Sequence, residues 1–541
     1  MRNNDWTLFC KIAGEEPYKE HTVLQTPETI TENPAYYSYI YGETIPTNVN
    51  GRVLCTSRND KSELIITKMR ANVHQMIYGA SGSCKTQGAV LGELSNMDGR
   101  TSYIVFDTKA EVTPLVYSSA AKKYGADNVM VANFMQPSHS MVRLNPFVPL
   151  ANMWLSAEKA DANSKKAIRD HITTEIRKFI DCAFEVKSQK DPTWEETAKD
   201  FIFSMVLGLF EDLTLTSAQE KNLKRSKTKP HQINFETVSR IFNSFSWERR
   251  FDDHGFLSKR DPNSGAFKFS KSIRDNAQTT RANYMGFVQK YLIQVSDPKI
   301  VEMSKSHTFD IVSMSETPKV LFVIYDQSDV AVRDWVNVVI SYSMQSLLAH
   351  SHKTSRPLEV PVVAVIDEFP TLRPNAIYPT ILETGRGCNL FLSLVVQSLS
   401  QLKSRYPEDY VSMVNNCALQ TFLGTNDFET AREFSVKLGQ TTVPDPQAFL
   451  QGHYASQTVS VVTSDKLMHR MNYGETFLCI DRQMPIHGRF CLHYQTEEYH
   501  REPLTDINQF EPIKSKDKLQ AYDASPFYKD DDDDDNDLFD F

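Results

Sequence analysis

Short, mostly apolar runs recur along the chain: Val73–Tyr78, Tyr103–Phe106, Val129–Ala132, Val320–Tyr325, Val362–Ile366, Leu390–Val396, Ala418–Leu423 and Thr476–Ile480. Runs of this length, bounded by polar or turn-forming residues, predict buried strands. Between most of them lie helical patterns such as Thr86–Met97 and Val330–His350. Strands alternating with helices imply βαβ units and a mostly parallel sheet, an α/β fold.

The stretch from about residue 150 to 315 reads differently. Amphipathic patterns predict helices over Ser164–Val186, Trp194–Glu211, Asn234–Phe245 and Ser270–Gln294. They are broken by a basic linker, Lys221–His231, and by a loop, Arg260–Gly265. The core is therefore expected to be interrupted by an all-α insertion and then resumed. The expected division is a β or irregular extension over 1–70, a nucleotide-binding core over 71–150 and 316–500, an all-α domain over 151–315, and a polar linker with an acidic tail over 501–541. No internal repeat is visible.

Composition narrows the class. The chain has 541 residues, 40% hydrophobic and 23% charged, the balance of an ordinary globular protein. No stretch reaches the ~18–20 apolar residues that span a bilayer, and Met1–Cys10 has no apolar h-region, so neither an anchor nor a secretory signal is expected. The eight cysteines are scattered without a Cys-x-x-Cys pair, which argues for a reducing cytoplasm rather than a disulfide or zinc framework. Net charge is −9, and eight of the negative charges are aspartates of the tail, Asp530–Asp535, Asp537 and Asp540. The body is thus nearly neutral, which leaves room for a local basic channel.

Candidate chemistry begins at Gly79, Ala80, Ser81, Gly82, Ser83, Cys84, Lys85 and Thr86, a loop that follows a predicted strand and opens a predicted helix. That is the context of a phosphate-binding loop: backbone N–H groups wrap phosphates at a helix N-terminus. Lys85 would neutralise the outer phosphates of ATP and Thr86 would hold Mg²⁺. The motif wants glycine where Cys84 stands, which is costly if that position needs a positive φ. The alternative is a Ser/Gly-rich turn capping an ordinary helix.

The run Val362–Ile366 leads straight into Asp367 and Glu368. Asp367 would bind Mg²⁺ and Glu368 would act as general base on a water. Gln397 ends the run Leu390–Val396 and could sense a terminal phosphate. Arg386, read as lying in a Gly-Arg-Gly turn, and Arg432 are both candidates for an arginine finger. Asp107 and Lys109 either line the same sheet edge or merely end their strand.

Several boxes in order resemble a known family. Asp107–Glu111, Arg143–Phe147, Asp191–Trp194, Asp367–Leu372, Gln397–Leu402 with Tyr406, and Gly424–Ala431 with Ser435 and Leu438–Gly439 are similar to successive boxes of the type IV secretion coupling proteins, conjugation ATPases of the TraG and TraD kind. The likeness spans about residues 73–495. It implies a RecA-like P-loop NTPase core with an inserted all-α domain. It implies a homo-hexamer with ATP and Mg²⁺ between subunits. Lys85, Thr86, Asp367, Glu368 and Gln397 would form that site. The function implied is recruitment of relaxase-bound single-stranded DNA and its delivery to a type IV secretion channel.

Three departures are visible: Cys84, the Thr108 and Ala110 that replace Pro and Gly of the family's box, and the lack of a membrane anchor. Membrane attachment would then come from a partner. The all-α domain would read substrate, with Lys221–Lys229 and Lys268–Arg281 as candidate phosphate contacts; Trp194, Phe201 and Phe203 read as core. The tail, ending in Leu538, Phe539 and Phe541, would dock on relaxosome proteins or fold back on the body. Two alternatives remain open: a nucleotide-regulated adaptor with weak hydrolysis, and a related DNA or protein translocation motor.

Overall fold

The strands form where apolar runs are buried on both faces, as in a sheet covered by helices on either side. The computed structural model describes residues 24–26, 34–186, 192–223, 226–245, 255–444 and 456–513. Its strands are β1 (Tyr36–Ile40), β2 (Val53–Arg58), β3 (Leu64–Met69), β4 (Gln75–Tyr78), β5 (Ser102–Asp107), β6 (Val129–Asn133), β7 (Val320–Ile324), β8 (Val362–Ile366), β9 (Leu390–Val396), β10 (Leu419–Phe422), β11 (Gln440–Pro444), β12 (Ser456–Ser460), β13 (Glu475–Ile480) and β14 (Ile486–Arg489). Every residue of β7, β8 and β9 is buried. Among the described residues nine strands make one sheet, in the order β14-β13-β10-β4-β9-β8-β5-β7-β6. Strands β10, β4, β9, β8, β5 and β7 run parallel to their neighbours in that series, and β13 and β14 are antiparallel additions. The fold is α/β with a mostly parallel central sheet.

The chain divides into two compact units. The first holds the described residues within 1–130, 312–324 and 346–507; the second holds those within 131–311, 325–345 and 508–513. In the first unit a separate antiparallel sheet, β1-β3-β2, packs against the main one. Tyr36, Leu54 and Cys55 share a core with Leu419, Leu478, Ile480 and Ile486. The first 70 residues, so far as they are described, are thus not an independent body.

The second unit is helical. Its centre is an aromatic cluster in which Phe147 meets Phe179 and Phe235 edge-on, with ring centroids 5.1 and 5.4 Å apart. Trp335 and Tyr342 pack on Phe179 at 6.0 and 5.1 Å. These contacts explain why 325–345, half of the helix Val330–Thr354, belongs with this unit rather than with the sheet. The boundary expected near residue 150 lies at 130/131 for a similar reason. The Asn145 amide donates to the carbonyls of Ile233 and Ser304, both at 2.9 Å, and the Arg143 N–H donates to Thr308 Oγ1 at 2.9 Å. The Arg143–Phe147 segment is therefore anchored inside the helical unit.

One helix expectation needs correction. Ser270–Gln294 is two helices, Gly265–Arg274 and Gln278–Gln294, because Ala277 is extended at φ −58, ψ 150. Phe201 and Phe203 are buried core residues, while Trp194 is half-buried against Tyr284, centroids 4.7 Å apart. Lys221, Lys227 and Lys229 are exposed, whereas Lys224, Arg225, Asp191 and the whole acidic tail lie outside the described residues. No helix among the described residues is long and apolar enough to cross a membrane. The described cysteines are all free.

Candidate nucleotide site

Sheet order builds the site. β9 lies between β4 and β8, so the tip of β9 separates the loop after β4 from the acidic pair after β8. The parallel register places Tyr78 level with Val396, and Ile366 level with Leu394. Gly79–Thr86, Asp367–Glu368 and Gln397 consequently emerge at one carboxyl edge, where ligands of such sheets bind.

The loop is tied to its neighbours by backbone. The Gly79 N–H donates to Val396 O at 3.1 Å, and the Ala80 N–H to Gly424 O at 2.9 Å. A Cβ at Gly79 would stand 2.3 Å from Ser83 Oγ and 2.7 Å from Lys85 Cγ, so only glycine fits. Gly82 is left-handed, at φ 79. Cys84 is left-handed too, at φ 63 and ψ 29. The position where the motif expects glycine therefore does need a positive φ here. A non-glycine residue in that region is strained by ~1–2 kcal/mol. Cys84→Gly is expected to raise stability by about 1 kcal/mol, read as a shift in the urea midpoint; an unchanged midpoint would mean that the thiol is held without strain. The helix that follows opens with a π-helical turn, Lys85–Val90, and continues as Leu91–Ser95. Such turns are rare and cluster at functional sites.

Lys85 is buried, and its Nζ donates to the loop's own carbonyls, Gly79 O at 2.8 Å and Ala80 O at 3.1 Å. Burial lowers its pKa, with the charges of Glu368 and Asp367 opposing that shift. Ser83 Oγ is buried without a partner. A buried cation resting on neutral carbonyls, beside an orphaned hydroxyl, is a cradle whose chemistry fits an anion such as a phosphate chain.

Thr86 Oγ1 donates to Asp367 Oδ2 at 3.0 Å. Asp367 is buried, and burial, reinforced by the Glu368 charge, pushes its carboxyl up to about 6 against the pull of Thr86 and Lys85. A buried carboxylate paired with a hydroxyl is a donor set suited to Mg²⁺, which prefers oxygen ligands and would restore the ionised form. Glu368 stands next to it in the left-handed region, at φ 51. Its Oε2 accepts from Gln397 Nε2 at 3.1 Å. Gln397 is thus in direct contact with the acidic pair, which follows from the strand order β4-β9-β8 and is invisible in any single motif.

Other candidates are placed elsewhere. Arg386 is not in a turn: it is exposed in the last turn of the helix Ile377–Cys388. The reversal comes three residues later, at Asn389 with φ 59, and Gly385 serves close packing, since a Cβ there would meet Leu390 O at 2.4 Å. Gly385, the neighbour of Arg386, packs on His74, the residue preceding β4: a Cβ there would stand 3.4 Å from His74 Cε1, and burial, helped by the charges of Arg52 and Arg386, holds that ring down at about 3. Arg386 therefore lies at the opposite end of β4 from Lys85. Arg432 is exposed on the helix Phe428–Lys437. Asp107 is consumed in structure. It is buried, and its carboxylate accepts the N–H groups of Glu111, Val112 and Thr113.

Comparison with known proteins gives one consistent answer. The family model described as type IV secretory system conjugative DNA transfer matches residues 36–511. Two conjugal transfer proteins TraG from Escherichia coli are each 24% identical over 204 residues, a stretch covering 36% of this chain and 32% of theirs. The chain thus spans about a third of the length of those relatives. Among solved structures, the bacterial conjugative coupling protein TrwB, lacking its first 70 residues and unbound, is 15% identical with a TM-score of 0.52, covering 77% of this chain and 84% of that one. The plasmid coupling protein TrwB in complex with ADP and Mg²⁺ is 13% identical with a TM-score of 0.52, covering 77% and 85%. At these identities the structural likeness shows the fold.

Proposed function

The chain belongs to the type IV secretory system conjugative DNA transfer family, and from that premise we propose that it is an ATP-hydrolysing coupling protein. In this reading it recruits relaxase-bound single-stranded DNA and passes it to a type IV secretion channel. The observation that carries the reading is the meeting of Lys85, Thr86, Asp367, Glu368 and Gln397 at one sheet edge, joined by the Thr86–Asp367 and Glu368–Gln397 hydrogen bonds.

Each side chain has a task. Lys85 Nζ exchanges the carbonyls of Gly79 and Ala80 for phosphate oxygens, a stronger charge-assisted pairing. Thr86 Oγ1 and Asp367 would hold Mg²⁺. ATP with Mg²⁺ supplies the phosphoryl group and the positive charge that neutralises it. Glu368 Oε2 takes a proton from the attacking water, and Gln397 Nε2 holds that carboxylate in place. Arg386 or Arg432 would serve as the arginine finger for the site of an adjacent copy in a homo-hexamer.

The test is steady-state ATP turnover of the purified protein, with and without single-stranded DNA. Turnover that rises with DNA and is lost in Lys85→Ala is expected. Binding of ATP with no turnover under any DNA condition would instead favour a nucleotide-regulated adaptor, the reading that the strained Cys84 supports.

A further inference from the structure

The loop after β5 presents a second lysine to the same edge. β5 runs beside β8 with Phe106 level with Ile366, so the chain leaves β5 at Asp107 one strand from the acidic pair. The loop is held firmly. Asp107 accepts the N–H groups of Glu111, Val112 and Thr113 at 3.0, 3.1 and 2.8 Å and the Thr113 hydroxyl at 2.7 Å. Thr108 is buried, and Ala110 is left-handed at φ 56, a conformation that alanine rarely adopts and that marks a constrained segment. Between these fixed points Lys109 is exposed.

Lys85 follows β4 and Lys109 follows β5, so both leave the same carboxyl edge of the sheet. Two cationic side chains at one edge, on either side of the acidic pair, together favour an anion long enough to reach both. The sheet order gives that anion a direction. Lys85 approaches from β4, Asp367 and Glu368 from β8, and Lys109 from β5, on the far side of the acidic pair. A phosphate chain held at its inner end by the β4 loop would reach Lys109 only with its outermost phosphate.

We propose that Lys109 is a second phosphate-binding cation of this site, one that contacts the terminal phosphate and so distinguishes a nucleoside triphosphate from a diphosphate. The proposal rests on the reading of this edge as a nucleotide site. It assigns the loop Asp107–Glu111 a role in sensing the nucleotide, with Asp107 and Ala110 as the residues that position Lys109.

The experiment is equilibrium titration of the full chain with ATP and with ADP, each in Mg²⁺, for the wild type, Lys109→Gln, Lys109→Arg and Lys85→Ala. Lys109 is exposed, so its variants should fold. Lys109→Gln is expected to weaken ATP binding roughly 10- to 100-fold, the loss of one charge-assisted hydrogen bond, while ADP binds as before. Lys109→Arg should keep most of the preference for ATP. Undiminished ATP binding by Lys109→Gln, or equal losses for ATP and ADP, would overturn the proposal. Failure of the underlying reading shows separately: the wild type would bind neither nucleotide, or Lys85→Ala would bind both as the wild type does, and the role of Lys109 would fall with it.

Discussion

Glu368→Gln is expected to lower ATP turnover roughly 100- to 10,000-fold while ATP binding survives. The substitution preserves shape and the capacity to meet Gln397 Nε2, now 3.1 Å from the carboxylate, and removes only the ability to take a proton. In the proposed division Lys85 holds the phosphates and Glu368 acts only on the water, so the ground state should be spared. The signature is therefore a collapse of kcat with little change in the equilibrium constant for ATP. Asp367→Asn should behave differently. Asp367 is buried against Thr86, and its loss would remove the carboxylate proposed to hold Mg²⁺, so binding and turnover should fall together. Parallel measurement of turnover and ATP affinity on both variants checks the division of labour. If Glu368→Gln turned over within about tenfold of the wild type, a general base would have to be sought elsewhere on the edge.

That division depends on topology more than on motif. β8 and β9 stand where the apolar runs predict, because strands buried on both faces leave an unbroken apolar signature. β14 is two-sided in a different way: His487 is half-buried and Arg489 exposed, so no run marks it. β1, β2 and β3 mix Lys, Ser, Thr and Arg with apolar residues, so the sequence shows a β or irregular extension there without bounding its strands. The residues of the phosphate loop and the acidic pair are legible from strand-then-turn patterns. Their contact is not, since it needs β9 to lie between β4 and β8, and strand order is written in no local pattern. The same limit explains Arg386. Gly-Arg-Gly is a turn signal by composition, yet Gly385 is there so that the helix can approach Leu390 O, and the reversal waits for Asn389. Cys84 marks the opposite case: the sequence names the anomaly, and the backbone at φ 63 states its size.

The largest expected loss of stability comes from a buried pair of opposite charges, Arg52 and Glu93. Arg52 is fully buried one residue before β2, and Glu93 is buried in the helix Leu91–Ser95 that continues from the phosphate loop. Arg52 Nη1 donates to Glu93 Oε1, and Arg52 Nε donates to Val73 O at 3.1 Å, just ahead of β4. One guanidinium thus ties the three-stranded sheet to the strand and to the helix that together present Lys85. Breaking such a pair leaves a charge buried without its partner. Glu93→Ala is therefore expected to destabilise the protein by about 3–5 kcal/mol, read from denaturant unfolding. Removing both charges is another matter. Arg52→Met with Glu93→Leu replaces two desolvated ions by apolar side chains and should recover most of the loss. Recovery would mean that the pair specifies the seating of the first sheet against the phosphate-binding helix more than it stabilises the fold. A double variant as unstable as Glu93→Ala would assign the energy to the Arg52–Val73 hydrogen bond, which holds the entry to β4, and hence to the geometry of the phosphate loop itself.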